Sequence, residues 1–211
     1  MKNIGIIIYA RTSSKRLPNK VLKKIFDKSL LEIVYFRVKR GSKKIPIIVN
    51  TSQNKSDNEI IKFCKKNKII FFRGNLNNVL ERTINCCKKF KLNSFVRVNA
   101  DRPYWDFKVM LKMINLYLSN DYDIVTNQYP RNFPSGLACE VASTNIFYNL
   151  KTKDLTKNEK EHIFNHFYKN GNKYKILNYK DNFYNKIKKI KLSVDNKKDF
   201  LKIEKIYKKI G

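Results

Sequence analysis

The sequence predicts an α/β fold: a mostly parallel central sheet covered by helices on both faces. Three observations carry this expectation. Short apolar, β-branched runs recur along the first 127 residues. Segments with apolar residues at every third or fourth position separate them, which is the helical period. The residues that follow each run are polar, as expected where a doubly wound sheet binds ligands beyond the carboxyl ends of its strands.

The runs are "IGIII" (4–8), "IPIIVN" (45–50), "KIIFF" (68–72), "SFVRVNA" (94–100) and "YDIVTN" (122–127). Between them, "LLEIVYFRVKR", "SDNEIIKFCKKNK", "NVLERTINCCKKF" and "DFKVMLKMINLYL" read as helices. Serine three residues before glutamate is a capping-box signature, so Ser56 and Glu59 predict the start of the second helix, and Thr156 and Glu159 repeat the device. After residue 128 the rhythm changes. "LACEVAS" (137–143), "KYKILNY" (173–179) and "IKLSV" (190–194) read as strands, "KNEKEHIFNHFYKN" (157–170) as a helix, and "KKDFLKIEKIYKKI" (197–210) as a closing helix. No Pro/Gly/Ser-rich linker appears, so one domain over 1–211 is expected, with a nucleotide-binding half (1–127) and an acceptor-binding half (128–211).

Lysine and arginine number 46 against 17 acidic residues, a formal charge of +29. Such a charge invites a polyanion through long-range attraction. Here, however, lysine is spread over every expected helix, and asparagine and isoleucine are inflated with it, which describes a compositional bias with solvated faces. Residues that resist the bias are therefore informative. Arginine supplies a planar, permanently charged fork that lysine cannot copy, which singles out Arg11, Arg16, Arg73, Arg82 and Arg97. Pro18, Gly74, Pro103, Pro134 and Gly136 mark places where the backbone needs those residues. Phe63, Phe71, Phe90, Phe95 and Phe107 fall on apolar phases and are expected in the core, and no nucleic-acid-binding signature is present. Cys64, Cys86, Cys87 and Cys139 lack metal or disulfide spacing, which predicts free thiols in a reducing cytoplasm. The first apolar run leads at once into Arg11 and Lys15 and reads as a strand, and no later stretch has the length of a membrane span.

Ligand-binding candidates follow from the strand ends: 10–20, 50–57, Arg73 with Gly74, and Asp101. The loop after the first run, "ARTSSKRLPNK", has no glycine-built phosphate cradle. Arg11, Ser14, Arg16 and Lys20, on a turn stiffened by Pro18, can hold several phosphate oxygens through charge-assisted hydrogen bonds. On these residues alone, a solvated loop accounts for the pattern equally well.

A resemblance separates the two readings. "ARTSSKRLPNKVL" resembles the signature A-R-x-x-S-x-R-L-P-x-K of the cytidylyltransferases that activate acidic sugars, namely the 3-deoxy-manno-octulosonate and acylneuraminate enzymes and the SpsF-like spore-coat polysaccharide group. The fold implied is the Rossmann-like three-layer α/β/α nucleotide-diphospho-sugar transferase fold. In that family the loop wraps the phosphates of CTP, which implies that role for Arg11, Ser14, Arg16 and Lys20, with Arg11 and Lys20 catalytic. "NTSQNKSDNEI" is similar to the family's Thr-Ser plus Asp segment and implies that Thr51 and Ser52 lie near the nucleotide. "FFRGNLNNVLERT" resembles F-R-G-x-x-x-x-V-L-x-R and implies that Arg73, Gly74 and Arg82 surround base and ribose.

"VRVNADRPYWD" resembles R-x-x-G-D-x-P-L-x-D, which makes Asp101 a catalytic metal ligand, and "KLSVDNKKDF" implies Asp195 as the second. Mg²⁺ is the implied cofactor, in keeping with its preference for one or two carboxylates plus substrate phosphates; by position alone Asp195 would rather cap the last helix. "GLACEV" and "EKEHIFNHF" imply that Glu140 and His162 meet the sugar acceptor. Histidines at 162 and 166 beside Glu161 have zinc-like spacing but no third ligand in register. Ala100, Arg102, Asn19, Ser135 and Ala138 depart from the residues common in relatives. The resemblance implies transfer of CMP from CTP to an acidic sugar for surface polysaccharide synthesis, without membrane or nucleic acid, and a chain able to form a homodimer. Two rivals remain: a polyanion binder on a degenerate transferase fold, and a transferase that uses another nucleoside triphosphate.

Overall fold

The computed structural model describes residues 3–42 and 44–210. The strands are β1 (Ile4–Tyr9), β2 (Lys24–Ile25), β3 (Lys28–Ser29), β4 (Ile47–Ser52), β5 (Ile70–Gly74), β6 (Ser94–Asn99), β7 (Ile124–Thr126), β8 (Glu140–Ser143) and β9 (Ile176–Asn178). The helices are α1 (Leu30–Gly41), α2 (Asn58–Lys66), α3 (Val79–Lys89), α4 (Phe107–Leu118), α5 (Asn145–Tyr148), α6 (Lys157–Glu161), α7 (Asn165–Lys169), α8 (Asn182–Lys186) and α9 (Lys197–Ile210). Seven strands make one sheet in the order β5-β4-β1-β6-β8-β7-β9, and β2 and β3 form a separate antiparallel pair. All neighbours in the sheet are parallel except those of β8, which is antiparallel to β6 and β7.

Alternation along each strand sends side chains to two cores. Ile6, Ile8, Val49, Val96 and Val98 meet Leu31, Val34 and Val38 of α1 and Met110 and Met113 of α4 on one face. Ile7, Ile48 and Phe95 meet Leu80, Cys86 and Cys87 of α3, together with Phe147, Ile163, Phe164 and Phe167, on the other. Phe95 is fully buried, while Phe63, Phe71, Phe90 and Phe107 pack partly buried against these clusters. All four cysteines are free and buried.

Several local expectations give way to tertiary contacts. The Thr156–Glu159 capping box forms, but the one at Ser56 does not. The Asp57 side chain turns inward, Asn54 receives the Ser56 amide at 3.0 Å, and Glu59 pairs with Lys62 on the surface. An exposed cap is worth about 1 kcal/mol, less than the set of bonds Asp57 makes inside. The helix expected over 157–170 breaks into α6 and α7, because His162 leaves helical geometry as Ile163, Phe164 and Phe167 enter the core. The strand expected at 137–143 begins only at Glu140.

Residues 190–194 join no ladder. They are tied down by one parallel bridge from Lys191 to Ser135, a 2.6 Å bond from the Leu192 amide to the Ser135 carbonyl, and a 2.9 Å bond from the Val194 amide to the Asp101 carbonyl. Gly136 permits this approach: its φ is +108°, and a Cβ there would stand 2.6 Å from the Leu192 carbonyl carbon. Val194 and Ile203 of α9 pack with Leu17, Ile25, Leu30 and Ile33, so the end of the chain is pressed onto the loop that follows β1.

Candidate active site

Register aligns Tyr9 of β1 with Asn99 of β6 at the carboxyl edge of the sheet, with Arg97 one pleat deeper on the same face. Over this floor opens a pocket of about 710 Å³. The loop after β1, the start of α3, residues 157–163, Asp101 and Asp195 form its walls. Of the residues expected from sequence, Arg11, Ser14, Arg16, Lys20, Arg82, Asp101, His162 and Asp195 all reach it.

The loop is held by its own hydrogen bonds and by those to Asp57. Ser14 and Asn19 both donate their amides to the Thr12 carbonyl, at 2.8 and 2.9 Å, and Asn19 takes a left-handed turn (φ 55°). Asparagine tolerates that region better than most residues. Thr12 is itself fastened from below: its amide and hydroxyl donate to Asp57 Oδ1 at 2.8 and 2.7 Å. Asp57 Oδ2 accepts from the Thr51 hydroxyl (3.0 Å), the Ser52 amide (3.1 Å) and the Ser52 hydroxyl (2.5 Å). Burial alone would raise the Asp57 pKa, but these donors together hold it below the usual carboxylate value.

Thr51 and Ser52, expected beside the nucleotide, are thus fully buried and off the pocket wall, with their hydroxyls spent on Asp57. Arg73 and Gly74 also stand off the wall. Arg73 donates to the carbonyls of Ser52 and Asn54, each at 2.9 Å, and Gly74 leaves room for Arg82, whose Cγ would lie 2.7 Å from a Cβ there. Arg82 is 2% exposed, donates Nη1 to the Asn75 carbonyl at 3.0 Å, and has a buried Nε with no partner among the described residues.

At the centre stands Lys20. Its Nζ donates to Asp101 Oδ2 at 2.5 Å and to the Val194 carbonyl at 3.0 Å, and lies 4.0 Å from Asp195 Oδ1. Asp195 also receives Arg16 at 3.3 Å and Lys191 at 2.9 Å. It does not cap α9: Asn196 Oδ1 accepts the Asp199 amide at 2.9 Å, leaving the Asp195 carboxylate to the pocket. Both aspartates therefore converge on one ammonium group, so their hard oxygens suit one divalent cation whose shell substrate phosphates would complete. Among the described residues no three His, Cys, Asp or Glu side chains form a metal cluster. His166 lies away from the pocket, with Nδ1 3.8 Å from Glu159.

Across the pocket Arg11 pairs with Glu161 at 2.6 Å, and that bond holds the Glu161 pKa below its ordinary value. Glu140, expected at the acceptor, is fully buried behind the floor, bound by Arg97 and Tyr168. Arg102 Nη1 donates to the Ala138 carbonyl at 2.5 Å. The site roles of Asp57 and Asn99 were not legible from spacing. For Asp57 the available signal was its place in the 50–57 stretch after β4 and in the segment similar to Thr-Ser plus Asp.

Nucleotidyl transfer needs fixed cations for the phosphates and carboxylates able to share a metal facing them. A nucleotidyltransferase is the class that this fold and pocket define. More narrowly, the family model "Cytidylyltransferase" matches residues 5–210, and the chain belongs to that family. It is 36% identical over 200 residues to the uncharacterized protein MJ1063 of Methanocaldococcus jannaschii, covering 95% of this chain and 81% of that one. It is 27% identical to the spore coat polysaccharide biosynthesis protein SpsF of Bacillus subtilis, over 100% of this chain and 89% of the relative. A solved cytidylyltransferase from Leptospira borgpetersenii superposes with a TM-score of 0.91 at 27% identity, covering 97% and 86% of the two chains. Among the described residues no helix is long and apolar enough to cross a membrane.

Proposed function

We propose that this protein transfers CMP from CTP to a hydroxyl of an acidic sugar and releases pyrophosphate, for the synthesis of a surface polysaccharide or glycoconjugate. The observation that carries the reading is Lys20, gripped by Asp101 beside Asp195 and facing a loop of arginine and serine side chains. The family match supports cytidine as the base, and the resemblance to the octulosonate and acylneuraminate enzymes supports an acidic acceptor. Four free, buried thiols agree with a cytoplasmic setting, where CTP is made.

The acceptor oxygen attacks the α-phosphorus in line. The new O–P bond forms as the bond from the α-phosphorus to the bridging oxygen of the β-phosphate breaks, and the hydroxyl proton passes to solvent. Arg11, Ser14 and Arg16 bind phosphate oxygens, and Lys20 offsets charge on the departing pyrophosphate. Asp101 and Asp195 would hold Mg²⁺, which supplies Lewis-acid neutralisation of phosphate charge when bound. Arg82, at the α3 end of the pocket, takes the ribose and base side.

Thermal stability with each of the four nucleoside triphosphates and Mg²⁺ tests the nucleotide. At about 100 times its Kd a ligand adds about 2.7 kcal/mol, which is about 5–10 °C for a chain of this size. CTP alone is expected to give that shift. A larger shift with UTP or GTP changes the donor, and no shift with any of them, alongside steeply salt-dependent RNA binding, replaces the enzyme with the polyanion binder. A pyrophosphate-release screen with octulosonic, nonulosonic and amino sugars then identifies the acceptor.

A further inference from the structure

Arg97, on the pocket floor, has a side chain committed in advance to a fixed orientation and still open to the pocket. Its Nη1 donates to both oxygens of Glu140, at 3.3 and 3.2 Å. Glu140 is fully buried and is held in turn by the Tyr168 hydroxyl at 3.0 Å, which the Thr126 hydroxyl approaches at 2.9 Å. The guanidinium lies 5.7 Å from the centre of the Phe164 ring. Together these contacts fix both the position and the plane of the fork.

A buried ion pair of this kind adds little net stability compared with apolar packing, because desolvation opposes the attraction. Its presence beneath a pocket asks for another use. Only Nη1 is occupied by protein: Nε and Nη2 make no hydrogen bond to the described residues, yet neither is a sealed, unpaired atom. With Nη1 turned to Glu140, the Nε/Nη2 edge is the bidentate edge left for a planar carboxylate with two parallel bonds. The pocket wall also carries seven lysine and arginine side chains against three acidic ones among the described residues, so cationic charge is in excess where a second anion would sit.

We propose that Arg97 is a specificity-determining residue whose Nε/Nη2 edge receives the carboxylate of the acceptor, with Glu140 as the positioning residue that holds the fork. This rests on the transferase reading above and adds to it the group that selects the acceptor. Arg97→Ala would leave the buried Glu140 without its charged partner and destabilise the chain, so Arg97→Lys, which keeps the charge and loses the fork, is the useful variant. The probes are CTP, followed by thermal shift, and 3-deoxy-manno-octulosonate with its C1 carboxamide, together with any other acid sugar that passes the screen, followed by pyrophosphate release. Arg97→Lys is expected to keep the CTP shift, to raise KM for the acid at least tenfold, and to match the unchanged enzyme on the carboxamide. Equal KM values for the acid in both proteins, an equal loss with acid and carboxamide, or turnover only of acceptors without a carboxylate overturns the assignment. A CTP shift lost only in the variant moves Arg97 to the nucleotide and overturns it too, whereas no CTP shift in the unchanged protein rejects the transferase reading beneath it.

Discussion

Replacing Asp57 by asparagine tests whether one buried carboxylate holds the loop after β1 in place. Five donors converge on it, two of them backbone amides, from Thr12 and Ser52. The hydroxyls can rotate to suit an amide group, but the backbone N–H groups cannot. Whichever way the new side-chain amide is turned, its NH₂ faces one backbone N–H, leaving a buried donor unpaired at about 1–3 kcal/mol. The surviving bonds lose their charge assistance, at about 1 kcal/mol each. Removing a buried charge offsets part of this, so a net loss of about 2–4 kcal/mol is expected, or about 5–15 °C in Tm. Urea unfolding at pH 7 measures it. The pH dependence supplies a second arm. Because the Asp57 pKa is depressed in the fold, its stabilisation is complete above the unfolded carboxylate value near 4 and is lost as pH falls through the lower folded value. The gap between the two proteins should therefore close below about pH 4. A variant within about 0.5 kcal/mol of the parent at pH 7, or a gap that persists unchanged in acid, refutes the clamp.

Other outcomes follow from the same geometry. Lys20→Ala and Asp101→Ala should each lower turnover at least ~100-fold while the fold survives, as for loss of one preorganised charged group; near-normal pyrophosphate release by either would remove it from the reaction. Gly136→Ala forces a Cβ against the Leu192 backbone at a φ of +108°, so a Tm loss of several degrees and displacement of Asp195 are expected, with activity falling more than stability explains. Burial pushes the Cys64 and Cys86 thiols up to about 12, and Cys87 and Cys139 higher still. Native protein at pH 8 should therefore resist iodoacetamide at all four, and rapid labelling without unfolding would contradict the packing.

Much of the fold was legible because burial is written locally. β1, β4, β5, β6 and the helices between them follow from runs and periods that any ten-residue window contains, and the loop from Arg11 to Lys20 announced itself by arginine in a chain that favours lysine. Tertiary contacts overrode the reading wherever a polar side chain had a choice of partner. Ser56 and Glu59 gave up their capping box, Thr51 and Ser52 turned their hydroxyls onto the buried Asp57, and Glu140 turned from the pocket to Arg97. Nor could residues 190–194 be read correctly, since an apolar, β-branched stretch looks like a ladder strand whether or not a neighbour is free to pair.

By itself the sequence determined the doubly wound core, the strand ends over which the pocket opens, and several of the charged side chains that line it, Arg11, Arg16, Lys20 and Asp101 among them. Which of those residues meet was decided only in three dimensions. Arg11 finds Glu161 across 150 positions and Lys20 finds the Val194 carbonyl across 174. No local pattern encodes such pairs, because they depend on where the whole sheet, with its one antiparallel strand, delivers the ends of the chain. Periodicity states what must be buried; the partner of a buried charge is set by whichever donors the packing brings within about 3 Å of it.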